Sequence, residues 1–297
     1  MDLYHNEKHI ITEPLKKELD ENIKLFEDIL KNCDDIIKYR FQLGKVNKTE
    51  IYMAYADNMI DRGILQDNTI ENFLFRMNDL PPTDKFDYIK NHSLQSADVK
   101  TLLTMDEVTQ SAISGDVIIF VEGYDKAIML SLKSFPNRGV PTVETEVTVR
   151  GAKDSFTEVV AFNKVLIRRR IKDTNLKMEN LTVGIRSRTS VTLSYIEGIA
   201  RPEIIEEVKK RLDSFTIDGV FDIGMVESLI ESKWYSLFPQ FQSTERPDKT
   251  ASALLEGRVV LLVDNSPMAL VLPVTFHSFF QAADDYYNRF SVASFFL

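Results

Sequence analysis

The chain has 297 residues, 44% of them hydrophobic and 27% charged, which is the composition of a folded protein long enough for about two domains. Its 36 basic and 45 acidic side chains give a net charge of −9, which argues against nucleic acid as a partner. The single cysteine, Cys33, allows no internal disulfide and favours a reducing compartment such as the cytosol. The start shows no signal-peptide pattern, and no run of 18 apolar residues suggests a membrane span.

The first half of the chain is predicted to run from a helix to a hairpin, through further helices, to a second hairpin. Apolar residues recur at helical spacing over residues 14–30, and alternation over 39–55 predicts two strands. Helices are predicted over 62–77 and near 84–90. A capping-box spacing between Thr104 and Glu107 predicts another helix, followed by two apolar strands around the turn at 122–125.

The second half is predicted to repeat this order. Residues 134–153 carry Pro and Gly without a helical pattern, so they are interpreted as an extended linker. Ser155 and Glu158 form a second capping-box spacing, which predicts a helix through about Arg170. A later helix is predicted to start at Pro247 and stop at Gly257, and residues 259–274 then form a buried hairpin with turn residues in its middle.

An internal duplication is indicated by the matches between the two halves. Shifts of 140 and 142 residues superimpose glycines, apolar strand residues and a tyrosine: Gly44 on Gly184, Tyr55 on Tyr195, Gly115 on Gly257 and Val117 on Val259. The sequence therefore predicts an α/β fold of two similar small α/β subdomains, each a mixed sheet flanked by helices. The predicted boundaries are 1–133 for the first subdomain, 134–153 for the linker and 154–297 for the second.

No pattern in the sequence indicates a catalytic or metal site. The four histidines are scattered, a glycine-rich phosphate loop is absent, and Cys33 is flanked by acidic residues that raise the pKa of its thiol. The carboxylate pairs Asp34/Asp35 and Asp284/Asp285 are interpreted as solvated helix faces. The chain is therefore predicted not to be an enzyme and to need no cofactor or metal.

Two charged features leave a choice of interpretation. A basic cluster falls at a predicted helix end, where cations are favoured, so the plain interpretation is a helix that ends on a solvated face: Arg168, Arg169, Arg170 and Lys172. The alternative is a basic surface that binds acidic lipid headgroups or an acidic neighbouring subunit. Arg246 and Asp248 at the start of the later helix are interpreted as structural scaffolding, and the further hypothesis is that they form an ion pair that fixes the loop after Phe238 and Pro239.

Three stretches carry a resemblance to a known family: RGAKDSFTEVVAFNKVLIRRRIKD from Arg150, FPQFQSTERPDKTASALLEGRVVLLVDNSPMALVLPVTF from Phe238, and DDYYNRF from Asp284. Together they resemble the A subunit of the GerA family of spore germination proteins, with the best match from about Met105 onward. The family pattern carries over to Arg150, Gly151, Asp154, Phe156, Glu158, Asn163, Arg168, Arg169, Arg170, Arg246, Pro247, Asp248, Gly257, Arg258, Asp264 and Pro267. Ala152 and Asn265 depart from it, at places where proline and glycine are common.

This resemblance implies the soluble N-terminal domain of a nutrient germinant receptor of bacterial endospores. The implied partners are the receptor's B and C subunits, further A subunits and a nutrient germinant such as an amino acid, sugar or nucleoside. The implied location is the cytoplasmic side of the spore inner membrane, with a membrane region expected after SVASFFL. Motif positions are expected to serve structure or subunit contact, and the implied role is sensing, assembly and channel gating. The alternative is a module that binds the germinant in a cleft between the subdomains.

Overall fold

The computed structural model describes residues 13–45, 47–66, 80–81, 84–92, 98–135, 146, 152–214, 216–231 and 240–274. The chain divides into two compact units. Unit 1 comprises Met1–Lys31, Ile36–Phe135 and Lys172–Thr174, and unit 2 comprises Asn32–Asp35, Pro136–Ile171 and Asn175–Leu297. Because most of the predicted linker lies outside the described residues, the predicted boundaries stay a prediction.

Unit 1 is built from a five-stranded sheet in the order β1-β2-β4-β5-β3. Its elements along the chain are α1 (Leu19–Ile29), β1 (Ile36–Leu43), β2 (Thr49–Ala56), α2 (Arg62–Ile64), α3 (Lys85–His92), β3 (Asp98–Leu102), α4 (Met105–Ile113), β4 (Val117–Val121) and β5 (Ala127–Ser131). Helices α1 and α4 pack against β2 and β4. The opposite face of the sheet forms a core with Phe86 and Ile89 of α3.

Unit 2 repeats this plan, with the sheet order β6-β7-β9-β10-β8. Its elements are α5 (Val160–Arg168), β6 (Leu176–Val183), β7 (Thr189–Ile196), α6 (Pro202–Ser214), α7 (Ile223–Ile230), β8 (Gln242–Thr244), α8 (Pro247–Leu255), β9 (Val259–Val263) and β10 (Ala269–Leu272). Helices α6 and α7 bury apolar residues on one face of the sheet, and α5 and α8 do so on the other. The prediction of two similar α/β subdomains is confirmed.

The strands pair differently from the mixed sheets that the sequence predicts. All ladders between the named strands are antiparallel. The helix α4 does connect two strands of the same direction, β3 and β4, but β5 lies between them and pairs antiparallel with both. Unit 2 does the same with β8, β10 and β9. The crossover helix is therefore present, but it produces no parallel ladder because a strand is inserted.

The two predicted capping boxes have opposite outcomes. At α4 the box is confirmed, since Thr104 Oγ1 accepts from the Glu107 backbone N–H and Glu107 accepts from the Thr104 N–H. At α5 it is wrong, because that helix begins only at Val160, and the Ser155 hydroxyl donates to the backbone oxygen of Glu245 at 3.0 Å. Ser155 is buried and takes part in a contact that is distant in sequence, so its spacing to Glu158 carries no capping.

Candidate functional site: the ends of α5 and α8

The start of α5 is held by a loop that follows β9, and two motif positions take part. The Val160 N–H, the first of the helix, donates to Asp264 Oδ1 at 3.1 Å. The next residue, Asn265, donates its N–H to the Glu158 carbonyl at 2.7 Å and has a positive φ of 66°. Since α5 has no side-chain cap of its own, the Asp264 carboxylate serves that purpose at the positive end of the helix dipole.

Unit 1 contains the same arrangement at α1. We call these hydrogen bonds between a loop and the start of a helix the helix-start clamp. The Leu19 N–H donates to Glu122 Oε2 at 3.0 Å, and the Gly123 N–H donates to the Lys17 carbonyl at 3.0 Å. Gly123 also has a positive φ, 86°. Glycine at this place in unit 1 and Asn265 in unit 2 adopt the same left-handed backbone, so the departure from the family pattern at Asn265 preserves the loop shape.

Each of these helices contains a buried asparagine whose side chain is hydrogen-bonded to the backbone of the residue six positions earlier. Asn163 is fully buried; its Oδ1 accepts from the Thr157 N–H at 2.8 Å and its Nδ2 donates to the Thr157 carbonyl at 2.6 Å. In α1, Asn22 makes the same pair of bonds with the Lys16 backbone, at 2.9 and 2.6 Å. The two asparagines are 141 residues apart, so a search at that shift could have revealed the unit 1 counterpart, which the sequence analysis missed.

The start of α8 is organised around Arg246, which has no exposed surface. The predicted ion pair with Asp248 is present, with Nη2 to Oδ2 at 2.6 Å and Nε to Oδ1 at 3.1 Å. Pro247 occupies the first turn, as predicted. The Thr250 hydroxyl donates to the Arg246 carbonyl at 2.9 Å, and the Arg246 N–H donates to Thr244 Oγ1 at 3.2 Å.

Glu245 connects the start of α8 to the segment before α5, which the sequence analysis did not find. Its backbone oxygen accepts from the Phe156 N–H at 2.9 Å and from the Ser155 hydroxyl. Its Oε1 accepts from the Glu146 N–H at 2.9 Å, and the Glu146 carboxylate in turn contacts Lys249 Nζ at 3.4 Å. These bonds link positions up to 103 residues apart in sequence, so local patterns give no sign of them.

The end of α5 contains a buried ion pair between Arg168 and Asp35. Arg168 Nε and Nη2 lie 2.8 and 2.9 Å from the two carboxylate oxygens, and Nη1 donates to the Leu176 carbonyl at 3.1 Å. Arg168 is 1% exposed and Asp35 is 4% exposed. The predictions of a solvated helix end at Arg168 and a solvated helix face at Asp35 are therefore wrong, because residues 32–35 bring Asp35 beside β6.

Cys33 lies next to this pair. It is buried, and its thiol lies 3.5 Å from the Leu176 carbonyl. Burial raises the pKa of the Cys33 thiol, while the charge of Arg168 acts in the opposite direction. A neutral, buried thiol is a poor nucleophile.

The other motif positions are divided between ion pairs, a turn and the surface. Arg170 Nη2 lies 2.6 Å from both oxygens of Asp154, whereas Arg169 is exposed. Gly257 has a φ of 83°, and a Cβ there would lie 2.9 Å from the Ile199 carbonyl. With two of its arginines in internal ion pairs, the predicted basic cluster does not form one exposed patch. Arg150, Gly151, Asp284 and Asp285 lie outside the described residues.

The chemistry of these ends is that of hydrogen bonding and charge pairing. Within the described ranges, no three His, Cys, Asp or Glu side chains are grouped to hold a metal ion. Across the same residues, every helix is too short or too polar to cross a membrane. The motif positions that the structure describes are mostly tied to helix starts, helix ends and turns.

Comparison with known proteins gives this arrangement a family. The sequence profile described as "Bacillus/Clostridium GerA spore germination protein" matches residues 24–297. "Uncharacterized membrane protein YfkQ" of Bacillus subtilis is 34% identical over 95% of this chain and 54% of its own length. "Spore germination protein A1" of the same organism is 34% identical over 94% of this chain and 56% of its own length. The chain thus spans about half the length of these curated relatives.

A solved structure has the same fold. The crystal structure of the N-terminal domain of the A subunit of the Bacillus megaterium spore germinant receptor GerK3 superimposes with a TM-score of 0.67 at 29% identity. The match covers 89% of this chain and 98% of that domain. The chain therefore belongs to the GerA family of spore germination proteins.

Proposed function

We propose that the chain is the N-terminal domain of the A subunit of a nutrient germinant receptor, and that it contributes to germinant sensing, subunit assembly and signal transmission to an ion channel. The observation that supports this most is the match to almost the whole crystallised N-terminal domain of the GerK3 A subunit. The proposed role is to contact neighbouring subunits and transmit a signal, and it includes no covalent chemistry.

The clamped helix starts suit a domain that transmits force or position. A helix whose first N–H groups and preceding chain are bonded to a distant loop cannot shift without breaking several hydrogen bonds. Asp264, Glu158 and Asn163 fix α5 in this way, and Glu245 bonds the chain directly before α8 to distant segments. We therefore assign the buried motif positions to the rigidity of unit 2.

The exposed motif positions are the candidates for subunit contacts. Glu158 and Arg169 present their side chains to solvent near opposite ends of α5. We propose that they face the B or C subunit or another A subunit. In the whole receptor this domain would lie on the cytoplasmic side of the spore inner membrane.

Deletion of the gene in the sporulating bacterium that encodes it tests this function. Spores that lack the A subunit should lose the response to at least one nutrient, measured as release of dipicolinic acid across a panel of amino acids, sugars and nucleosides. Complementation with the intact gene should restore it. A Glu158→Lys, Arg169→Glu variant should fold yet co-purify less of the B and C subunits from solubilised membranes. An unchanged germination response across the panel in the deletion strain would overturn the proposal.

Calorimetric titration of the chain with the same nutrients separates transmission from direct binding. If the domain relays a signal that other subunits receive, no nutrient should give a saturable heat. A saturable heat for one nutrient, abolished by competition with its close analogue, would instead support the alternative of a germinant-binding module.

A further inference from the structure

Residues Asn32–Asp35, which we name the strap, lie along the edge strand β6 of unit 2 as a short added strand. The Met178 N–H donates to the Asn32 carbonyl at 2.9 Å, and the Asp34 N–H donates to the Met178 carbonyl at 3.0 Å. These bonds form a single parallel bridge, between Cys33 and Met178. Two residues further along β6, a side chain takes the place of a backbone acceptor. There Asp34 Oδ2 accepts from the Asn180 N–H at 2.7 Å.

Such a short pairing gives the strap little hold of its own, so its side-chain contacts decide whether it stays on β6. The principal contact is the two-pronged pair of Arg168 with Asp35. A weaker one, at 3.4 Å, joins Asn32 Nδ2 to the Tyr195 hydroxyl, which donates to Glu179 at 2.6 Å. Two strands that pair through a single bridge are only marginally stable by themselves.

The positions that correspond to Arg168 and Asp35 in the repeated element order contain no such buried pair. Glu27 stands in α1 where Arg168 stands in α5, and Asn175 precedes β6 as Asp35 precedes β1. Glu27 and Asn175 are both exposed. Because unit 1 has the same sheet order with the exposed Glu27 in the place of Arg168, the buried pair is not a requirement of the fold.

We propose that the Arg168–Asp35 pair is a latch that holds the strap on β6 in one register, and that the strap can leave β6 as a unit while the sheet of unit 2 stays folded. A buried ion pair generally adds little net stability over apolar side chains of the same volume, but its geometry allows only one alignment. The contribution of the pair is therefore the fixed position of the strap, which continues directly into Ile36 of β1.

Cys33 provides a built-in probe of the latch. It is the only thiol of the chain, it lies in the middle of the strap and it is 4% exposed. N-ethylmaleimide labelling, followed by mass spectrometry of the intact chain, measures how often the strap leaves β6. In the wild-type protein the labelling rate should be independent of urea well below the unfolding transition, because local release exposes little surface. A labelling rate that rises in step with global unfolding would overturn the proposal.

The Arg168→Gln variant tests the latch itself. It leaves Asp35 buried without its partner, and labelling should become about 100-fold faster. Loss of the nearby positive charge raises the thiol pKa, so a faster reaction cannot come from a more reactive thiol. Arg186→Ala is the control, because it removes an ion pair with Asp218 whose partners are 83% and 76% exposed, and it should leave the labelling rate unchanged.

The double variant Arg168→Met, Asp35→Leu separates a latch from ordinary packing. It should melt within a few degrees of the wild type and still label at least about tenfold faster, since apolar packing restores stability but not the single alignment. Labelling as slow as in the wild type would show that any well-packed pair holds the strap, and would overturn the proposal. If the double variant does not fold, Arg168→Lys decides: the latch requires faster labelling, and a wild-type rate contradicts it.

Discussion

The two units share their helix-start clamps and their sheet order but differ in what lies under the clamped helix. In unit 1 the α1 layer is aromatic, with Phe26 packed edge-on against Tyr52 and Phe120 at centroid distances of 6.1 and 5.9 Å. In unit 2 the position of Tyr52 is taken by the fully buried Thr192, which donates to Asn180.

This difference shows which features the duplicated fold requires. The carboxylate at the helix start, the asparagine inside the helix and the left-handed residue after the fourth strand occur in both units, although the packing below them has changed from aromatic to partly polar. Backbone groups at helix starts must be satisfied whatever fills the core, whereas core volume can be supplied by many combinations of side chains. The clamps are therefore the common architecture, and the buried pair at Arg168 belongs to unit 2 alone.

The largest expected difference between the units is at the ends of α5 and α1. Arg168→Ala should lower the free energy of unfolding by about 3–5 kcal/mol, because Asp35 is left as a buried charge without its partner. Glu27→Ala at the equivalent place should cost about 1 kcal/mol or less, since the Glu27 side chain is 45% exposed. Urea unfolding followed by far-ultraviolet circular dichroism measures both. Equal costs would contradict the assignment of the buried pair to unit 2 alone.

Substitution of the two buried asparagines, Asn163 and Asn22, should lower the free energy of unfolding by smaller and more similar amounts. Asn163→Ala removes both bonds to Thr157 and leaves buried backbone groups without partners, at a cost of about 1–3 kcal/mol. Asn22→Ala removes the same two bonds, but to Lys16, which is exposed, so water can replace the lost partner and the cost should be lower. Urea unfolding of the two variants in parallel checks this order. A larger loss from Asn22→Ala would reverse it and show that clamp strength is not set by burial.

The order of the elements could be predicted from the sequence because it depends on local patterns. Strands such as β7 alternate between two faces, Thr104 and Glu107 have a capping spacing, and Gly257 follows a helix, so each signal lies within a few residues. The strands β3 and β8 were missed. They have only five and three residues and complete the sheet at its edge, where a weak apolar pattern is sufficient.

The contacts of the site could not be predicted in the same way, because their partners are distant in sequence. Asp35 is 133 residues from Arg168, and Asp264 is 104 residues from Val160. Charged residues of this kind are usually solvated, so the sequence alone favours the wrong interpretation of Arg168 and Asp35. The pair Arg246 and Asp248 was predictable because only one residue separates its members.

The helix-ending glycines allow a finer comparison. Gly257 and Gly115 have φ values of 83° and 89°, which an alanine adopts only at a cost of about 1–2 kcal/mol. A Cβ on Gly257 would also meet the Ile199 carbonyl at 2.9 Å, whereas on Gly115 it would meet Met59 Cβ at 3.1 Å. Gly257→Ala should therefore lower the melting temperature more than Gly115→Ala. Gly123→Ala is the control for the backbone conformation alone, since its φ is also positive, 86°, but no atom lies within 4 Å of the added Cβ.

The smallest expected effect is at the surface of unit 2, where Arg186 and Asp218 face each other 3.3 Å apart. Both side chains are mostly exposed, so solvent and salt screen their attraction, and Arg186→Ala should change the free energy of unfolding by about 0.5 kcal/mol or less. The coupling energy between Arg168 and Asp35 is expected to be several times larger, because these two side chains are buried. The test is a double-mutant cycle for each pair at low and high salt. A coupling energy at Arg186 that equals the one at Arg168 would mean that burial does not set the strength of these pairs.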